Sequence, residues 1–203
     1  MRAAVVCLVV ACGLMGPQAH AAKPEVIIDP GGVPPAALRS IMGAVDAITR
    51  LAEDQDGGEL SRLRRRARDA TLSALETQGY FSSKVTLEAS EDAVGEVWDI
   101  SIEPGERTLV DGVDLEFSGQ IASAQFEGRR ATLRKDWPLE ADMPFVNEQW
   151  SNAKTNLIDS VSRKDFYLAR VTQSQATINA EEAKADLHVA VDSGPVCAWA
   201  SCA

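Results

Sequence analysis

Few residues of this chain have side chains that could carry catalysis, and their spacing keeps them apart. His188 is the one histidine beyond the N-terminal apolar segment, and Cys197 and Cys202 lie in the last seven residues. A serine or cysteine nucleophile needs a base beside it, and a structural zinc ion needs about four ligands. The alternation of His188 with Leu187 and Val189 indicates a strand whose solvent-facing side holds the histidine. The sequence therefore predicts no enzyme, no catalytic residue, no metal site and no cofactor.

The acidic loop Asp54-Gln55-Asp56-Gly57-Gly58 is similar to the beginning of a calcium-binding loop. Such a loop needs oxygen ligands at its fifth position and a glutamate at its twelfth. This sequence has Gly58 and Arg65 at those two positions. We therefore interpret the loop as a turn between two helices.

One cluster of like charge stands out in a chain whose formal net charge is −10. Its members are all arginines: Arg62, Arg64, Arg65, Arg66 and Arg68. The cluster fits a binding patch for anionic lipid headgroups or for an acidic protein surface. The plainer interpretation is a solvated helix face that Glu59 and Asp69 partly neutralise. The acidic balance of the whole chain argues against nucleic-acid binding, which needs a broad basic face.

The N-terminal segment has the features of a signal peptide. Arg2 precedes the apolar run Ala3–Met15, and Ala19-His20-Ala21 has the small-residue pattern of a cleavage site. The apolar run is shorter than the roughly 20 residues that span a bilayer. We expect export and cleavage, with a lipoprotein signal ending at Cys12 as the alternative. In an oxidising compartment the two C-terminal cysteines can pair in a small loop, and the sequence leaves open whether they do.

Hydrophobic periodicity predicts the elements that position these residues. The β-branched run Glu25–Asp29 predicts a strand, and apolar residues from Leu38 to Leu51 recur at helical spacing. Glu59–Gln78 predicts a second helix, with its arginines largely opposite its apolar face and Gly79 at its end. Two strands complete the unit: Lys84–Ala89 and Glu96–Glu103.

The second half of the chain repeats this order. Its predicted strand, two helical segments and two strands are Leu109–Phe117, Ile121–Leu133, Asn147–Arg163, Ala169–Gln175 and Ala185–Asp192. Gly79–Thr86 aligns without gaps on Asp165–Thr172, and Trp98–Gly105 aligns on Leu187–Gly194. We therefore expect an α+β protein of two tandem β-α-α-β-β domains. The ranges are a signal peptide at 1–22, domains at 23–107 and 108–195, and an atypical tail at 196–203.

Three motifs carry a resemblance to POTRA domains, the periplasmic modules of outer-membrane assembly factors. The first is a helix that runs into an aromatic pair, Ala74–Phe81. The second is a strand that ends in an acidic-x-glycine turn, Ile100–Glu106, and the third is the first strand of the second unit, Val113–Gly119. Over roughly Pro24–Pro195 the sequence is similar to the first two POTRA domains of the TamA-like subunit of the translocation and assembly module. That subunit is part of the bacterial surface antigen superfamily. The resemblance implies, in each domain, a three-stranded mixed sheet covered by two helices, with the strands ordered first, third, second.

The resemblance also implies a non-enzymatic role in outer-membrane protein or autotransporter assembly. The implied location is the periplasm, with association to the outer-membrane surface left open. The second strand of each domain lies at a sheet edge, where it can pair with an extended chain. The partner-binding residues are those of the two edges and of the basic helix face: Ser83, Lys84, Val85, Thr86, Leu87, Ala169, Arg170, Val171, Thr172, Gln173, Arg62, Arg65 and Arg66. Lys84 and Arg170 occupy matching positions and can instead protect the edges against aggregation.

The implied partners are unfolded outer-membrane proteins or a protein that spans the periplasm. The related proteins continue into a third POTRA domain and a membrane barrel where this sequence has Cys197–Ala203. Two hypotheses stay open: a free-standing periplasmic module, and a truncated or orphan POTRA fragment that acts as a structural or interaction protein without a barrel.

Overall fold

The computed structural model of the protein describes residues 23–53, 55–93, 95–163 and 165–196. The expected signal peptide and the cysteine-containing tail from Cys197 lie outside the described residues. The elements of the first domain are β1 Glu25–Asp29, α1 Pro35–Thr49, α2 Gly57–Thr77, β2 Lys84–Glu91 and β3 Glu96–Glu103. Those of the second domain are β4 Leu109–Ser118, 3₁₀ turns at Gly119–Ala122 and Ala124–Phe126, α3 Glu127–Lys135, α4 Asn147–Ser162, β5 Arg170–Asn179 and β6 Lys184–Asp192. No helix in the described part of the chain is both long enough and apolar enough to cross a membrane.

The helices of the first domain begin and end at residues suited to those positions. Pro35 is the first residue of α1, where the fixed φ of proline suits a helix start. The Asp56 carboxylate accepts a hydrogen bond from the Glu59 amide at 2.8 Å and so caps the N-terminus of α2. At the far end of α2, Gly79 has a φ of +91°, which lets the chain turn sharply into β2.

The sheet of the first domain has the strand order β1-β3-β2. β1 runs parallel to β3, and β2 runs antiparallel to it. Alternate residues of β3 point to the helices, so Trp98, Ile100 and Ile102 are buried. Ile100 and Ile102 pack with Ile41 of α1, while Trp98 packs with Leu63 of α2.

The second domain repeats this architecture. Its strand order is β4-β6-β5, with β4 parallel and β5 antiparallel to β6. The central strand again buries alternate residues, Leu187, Val189 and Val191, against a helix layer that contributes Leu157 and Val161 from α4. The expected α+β fold of two tandem β-α-α-β-β domains is therefore confirmed, including the strand order.

One predicted element has a different form. The sequence predicts a helix over Ile121–Leu133, but the structure has two 3₁₀ turns followed by α3. Ser123 lies between the two turns with extended backbone (φ −67°, ψ 154°), so no continuous helix forms. The amide of the fully buried Ile121 donates to Ser193 Oγ at 3.0 Å. This bond ties the first 3₁₀ turn to the residue that follows β6.

The two domains contact each other through the segment that follows α2. Phe81 is half-buried and packs against the core of the second domain. Its ring lies 6.0 Å, centroid to centroid, from the ring of Phe145 in the connection between α3 and α4. The two residues of the aromatic pair therefore pack in different domains. Tyr80 is buried in the core of the first domain, whereas Phe81 contacts the second domain.

Candidate protein-interaction surfaces

The β2 edge, Ser83–Leu87, lies on the outer side of its sheet as the resemblance implied. Ser83 Oγ is 3.0 Å from the carbonyl oxygens of both Tyr80 and Pro104, which fixes the start of the strand. Lys84 and Thr86 are exposed, while Val85 and Leu87 are half-buried against the core. All eight residues of β2 pair with β3 in unbroken register. The β2 edge is therefore straight, with one apolar and one polar side.

The β5 edge, Ala169–Gln173, is less regular. Its pairing with β6 shifts between Val171 and Gln173, so Thr172 forms a bulge. The Thr172 hydroxyl donates to the Ala190 carbonyl at 3.2 Å, and Arg170 forms an exposed ion pair with Asp192 at 3.3 Å. An open groove of about 450 Å³ separates this edge from α4, and its lining residues are Ser151, Lys154, Thr155, Ile158, Asp159, Val171 and Ser174.

The arginine face, which comprises Arg62, Arg64, Arg65, Arg66 and Arg68, divides into paired and unpaired side chains. Arg62 contacts Glu59 at 3.2 Å, and Arg68 contacts Asp69 at 2.9 Å, both on α2 itself. Arg64 is held by Glu96 of β3 at 3.2 Å.

Arg65 and Arg66 are exposed, and neither has an ion-pair or hydrogen-bond partner among the described residues. The sequence predicted the cluster, but only the structure separates these two arginines from the others. They are the members of the arginine face that remain available to a partner.

Two carboxylates outside these surfaces have well-defined cationic partners. A hydrogen bond from Lys23 Nζ at 2.7 Å, together with the nearby charge of Arg50, holds the pKa of Asp46 below its ordinary value. In the second domain, a hydrogen bond to Asp111 raises the pKa of Lys184. Both pairs are exposed, so water and salt weaken them.

His188 lies on the outer face of the second sheet, opposite the buried Leu187 and Val189, as alternation predicted. Its Nδ1 is 3.1 Å from Asp114 Oδ2 on the neighbouring strand β4. A carboxylate oxygen of Asp114, a carboxylate oxygen of Glu116 and a ring nitrogen of His188 all lie within 4.8 Å of one another. Alternation along β4 places the two carboxylates on one face, but their proximity to His188 depends on the register of β4 against β6, which the sequence does not reveal. The arrangement orients the imidazole, and most of the Asp114 side chain remains in water.

Residues 30–104 match the protein-family model described as POTRA domain, TamA domain 1. A comparison with curated proteins gives no match.

Three solved structures illustrate the structural similarity. One is POTRA domains 3–5 of BamA from Haemophilus influenzae, at 12% identity, with 90% of this chain and 70% of that chain covered and a TM-score of 0.43. Another is POTRA domains 1–3 of the periplasmic domain of Omp85 from Anabaena, at 13% identity, with 89% and 66% covered and a TM-score of 0.39. CdiB from Escherichia coli has 13% identity, with 96% of this chain but 30% of that chain covered and a TM-score of 0.38.

The structure shows an α+β protein of two domains with the same strand order, and the family match lies within the first of them. Residues 30–104 are similar to the first POTRA domain of TamA.

Proposed function

We propose that this protein is a periplasmic module for outer-membrane protein or autotransporter assembly that binds clients by adding a strand to the β2 edge. The client is an extended segment of an unfolded outer-membrane protein or of a partner that spans the periplasm. The single observation that carries the proposal is the form of β2: eight residues in unbroken register at the outside of a three-stranded sheet. Within the described residues, no strand pairs with the outer side of β2.

An exposed edge of this kind suits a binder of many sequences. An added strand makes main-chain hydrogen bonds, which every client can supply whatever its side chains. Selectivity then comes from the alternation of side chains, because every second residue of the client faces the helix layer. Val85 and Leu87 make that side of the β2 edge apolar, so the preferred client alternates apolar and polar residues. Strands of outer-membrane proteins have this alternation.

The β5 edge is the weaker candidate of the two. The bulge at Thr172 interrupts the regular spacing of main-chain groups that an added strand requires. The groove between β5 and α4 offers space for client side chains, with Ile158 and Val171 as its apolar lining residues. We therefore assign primary binding to β2 and an auxiliary role to β5.

The experiment removes single main-chain donors from the β2 edge. Successive amides of a strand point alternately toward and away from the neighbouring strand, so one of Val85→Pro and Thr86→Pro deletes an outward donor and the other deletes a donor to β3. Thermal unfolding distinguishes them, because the variant that loses a bond to β3 melts at a clearly lower temperature. Thr86→Val is the matched control, since it keeps the amide and the branched side chain shape.

Binding is measured by fluorescence anisotropy with a labelled peptide of alternating valine and threonine residues, flanked by lysines. We expect the fully stable proline variant to bind at least about tenfold more weakly than the wild type, which corresponds to one lost hydrogen bond with its unsatisfied partner. Thr86→Val should bind as the wild type does. Unchanged binding by the stable proline variant would falsify pairing at the β2 edge.

A further inference from the structure

The first domain separates its charges between its two layers. The three strands of its sheet carry one lysine against seven carboxylates, which are Glu25, Asp29, Glu88, Glu91, Glu96, Asp99 and Glu103. On the opposite layer, α2 carries five arginines against three carboxylates. The sheet layer is thus strongly acidic, whereas the helix layer has a local excess of positive charge.

The arginine face is unfavourable for α2 on its own. Arg62 lies three and four residues before Arg65 and Arg66, and Arg68 follows Arg64 and Arg65 at the same spacings. Like charges at these spacings repel one another across one helical turn. Asp69 could relieve this repulsion, but it is engaged by Arg68 through two hydrogen bonds, at 2.9 and 3.2 Å. Arg65 and Arg66 remain without a counter-charge in the described structure.

We infer that the arginine face docks on a lipid surface that carries phosphate headgroups, with Arg65 and Arg66 as the main contacts. Guanidinium groups bind phosphate oxygens through paired hydrogen bonds, and all five cations here are arginines rather than lysines. The cluster spans about 9 Å along the helix, so several headgroups can be bound at once.

Two features favour a lipid surface over an acidic protein as the occupant. Leu51, in the connection that leads into α2, is 52% exposed, and an exposed apolar side chain in the same domain suits the boundary between headgroups and acyl chains. In addition, an anionic surface repels the acidic sheet of the same domain while it attracts α2. The separation of charge therefore orients the domain with its helices toward the lipid and its sheet toward the aqueous phase. The inference rests on the arginines of α2 and not on the β2 edge, so the vesicle assay and the peptide assay test the two proposals separately.

The test measures co-sedimentation with vesicles, for the protein from Lys23 onward, which contains every described element. One set of vesicles contains phosphatidylethanolamine and phosphatidylglycerol, and the other contains phosphatidylethanolamine and phosphatidylcholine. The variant is Arg65→Gln/Arg66→Gln. Its matched control is Lys135→Gln/Arg163→Gln, which removes the same charge from exposed positions in the second domain.

We expect the wild type and the control to bind the phosphatidylglycerol vesicles, and binding to fall as salt is raised. The Arg65→Gln/Arg66→Gln variant should bind roughly thirty-fold more weakly, the loss expected for two surface cations. Absence of binding to phosphatidylglycerol vesicles, or equal binding by this variant, overturns the inference. A third arm uses a polyglutamate peptide: binding of this peptide without binding of vesicles would assign the arginine face to an acidic protein and would also overturn the lipid assignment.

Discussion

The carbonyl oxygen of Gly79, at the end of α2, accepts a hydrogen bond of 2.8 Å from the amide of Thr108, which precedes β4. Thr108 is buried, and its own carbonyl accepts a bond of 2.9 Å from the amide of Phe145. The chain between the two domains is therefore fixed by main-chain bonds on both sides. The Phe81–Phe145 contact adds an aromatic pair to the same junction. We conclude that the junction holds the two domains in a defined relative position.

Gly79→Ala should destabilise the protein and loosen this junction. A Cβ at Gly79 would lie 2.2 Å from the Phe145 carbonyl oxygen, and the φ of +91° is one that alanine rarely adopts. Backbone strain of this kind costs about 1–3 kcal/mol, to which the steric overlap adds. The measurement is chemical denaturation, together with ¹⁵N relaxation to compare the tumbling of the two domains.

Gly43→Ala is the matched control for this substitution. Gly43 lies within α1, and a Cβ there meets no atom within 4 Å. Alanine should stabilise the helix by about 1 kcal/mol, because glycine is the poorer helix former. If both variants shift the free energy of unfolding in the same direction, the close approach of Gly79 to Phe145 is not what excludes a side chain at position 79.

The sequence predicts the strands of the first domain well because each has a strong local signal. Alternation along Trp98, Ile100 and Ile102 gives β3 with its observed bounds, and the β-branched run gives β1. The internal repeat then predicts the architecture of the second domain. Periodicity fails at Ile121, because the buried bond to Ser193 comes from a residue far along the chain and no local pattern encodes it.

The repeat also predicts similar environments for residues that the structure places differently. Phe81 aligns with Tyr167, but Phe81 packs on the neighbouring domain whereas Tyr167 is 55% exposed. Their difference arises from what lies next to each domain and not from the residues themselves. The unpaired state of Arg65 and Arg66 also depends on a neighbouring residue. Asp69 forms its ion pair with Arg68, so it is not paired with Arg65 or Arg66.

Arg129→Ala should destabilise the second domain by about 2 kcal/mol. Its guanidinium donates a hydrogen bond of 2.8 Å to the carbonyl oxygen of Val161, near the end of α4. The same group forms an ion pair with Asp165 at 2.9 Å and lies over the ring of Phe166. Loss of a largely buried charged donor leaves a carbonyl and a carboxylate without their partner. Thermal unfolding gives the comparison, with Arg163→Ala as the control because Arg163 is exposed on the same helix end. Equal effects of the two substitutions would show that these contacts contribute no stability.

Asp46 should titrate below the ordinary range of an aspartate, and Lys23→Gln should bring its pKa back up. The hydrogen bond from Lys23 is the largest cause of the lowered pKa, and Arg50 adds to it. Since the pKa is lower in the folded state, the stabilisation is present above the unfolded pKa of about 3.9 and is lost as the pH falls through the folded value. NMR titration of the Asp46 carboxyl carbon measures this directly. An unchanged pKa in Lys23→Gln would assign the shift to other groups.

Trp98→Phe should leave stability nearly unchanged although Trp98 is fully buried. Its indole Nε1 is buried and has no hydrogen-bond partner, a property that it shares with Trp137 among the described residues. An unsatisfied buried donor costs about 1–3 kcal/mol, so its removal offsets the cavity left by the smaller ring. Trp98→Ala lacks this compensation, because it removes the whole ring from between Leu63 and the sheet, and should cost about 3–5 kcal/mol. Urea denaturation of both variants tests the comparison. If Trp98→Phe costs as much as Trp98→Ala, the indole nitrogen must have a partner in solution, and an internal water molecule would be the group to look for.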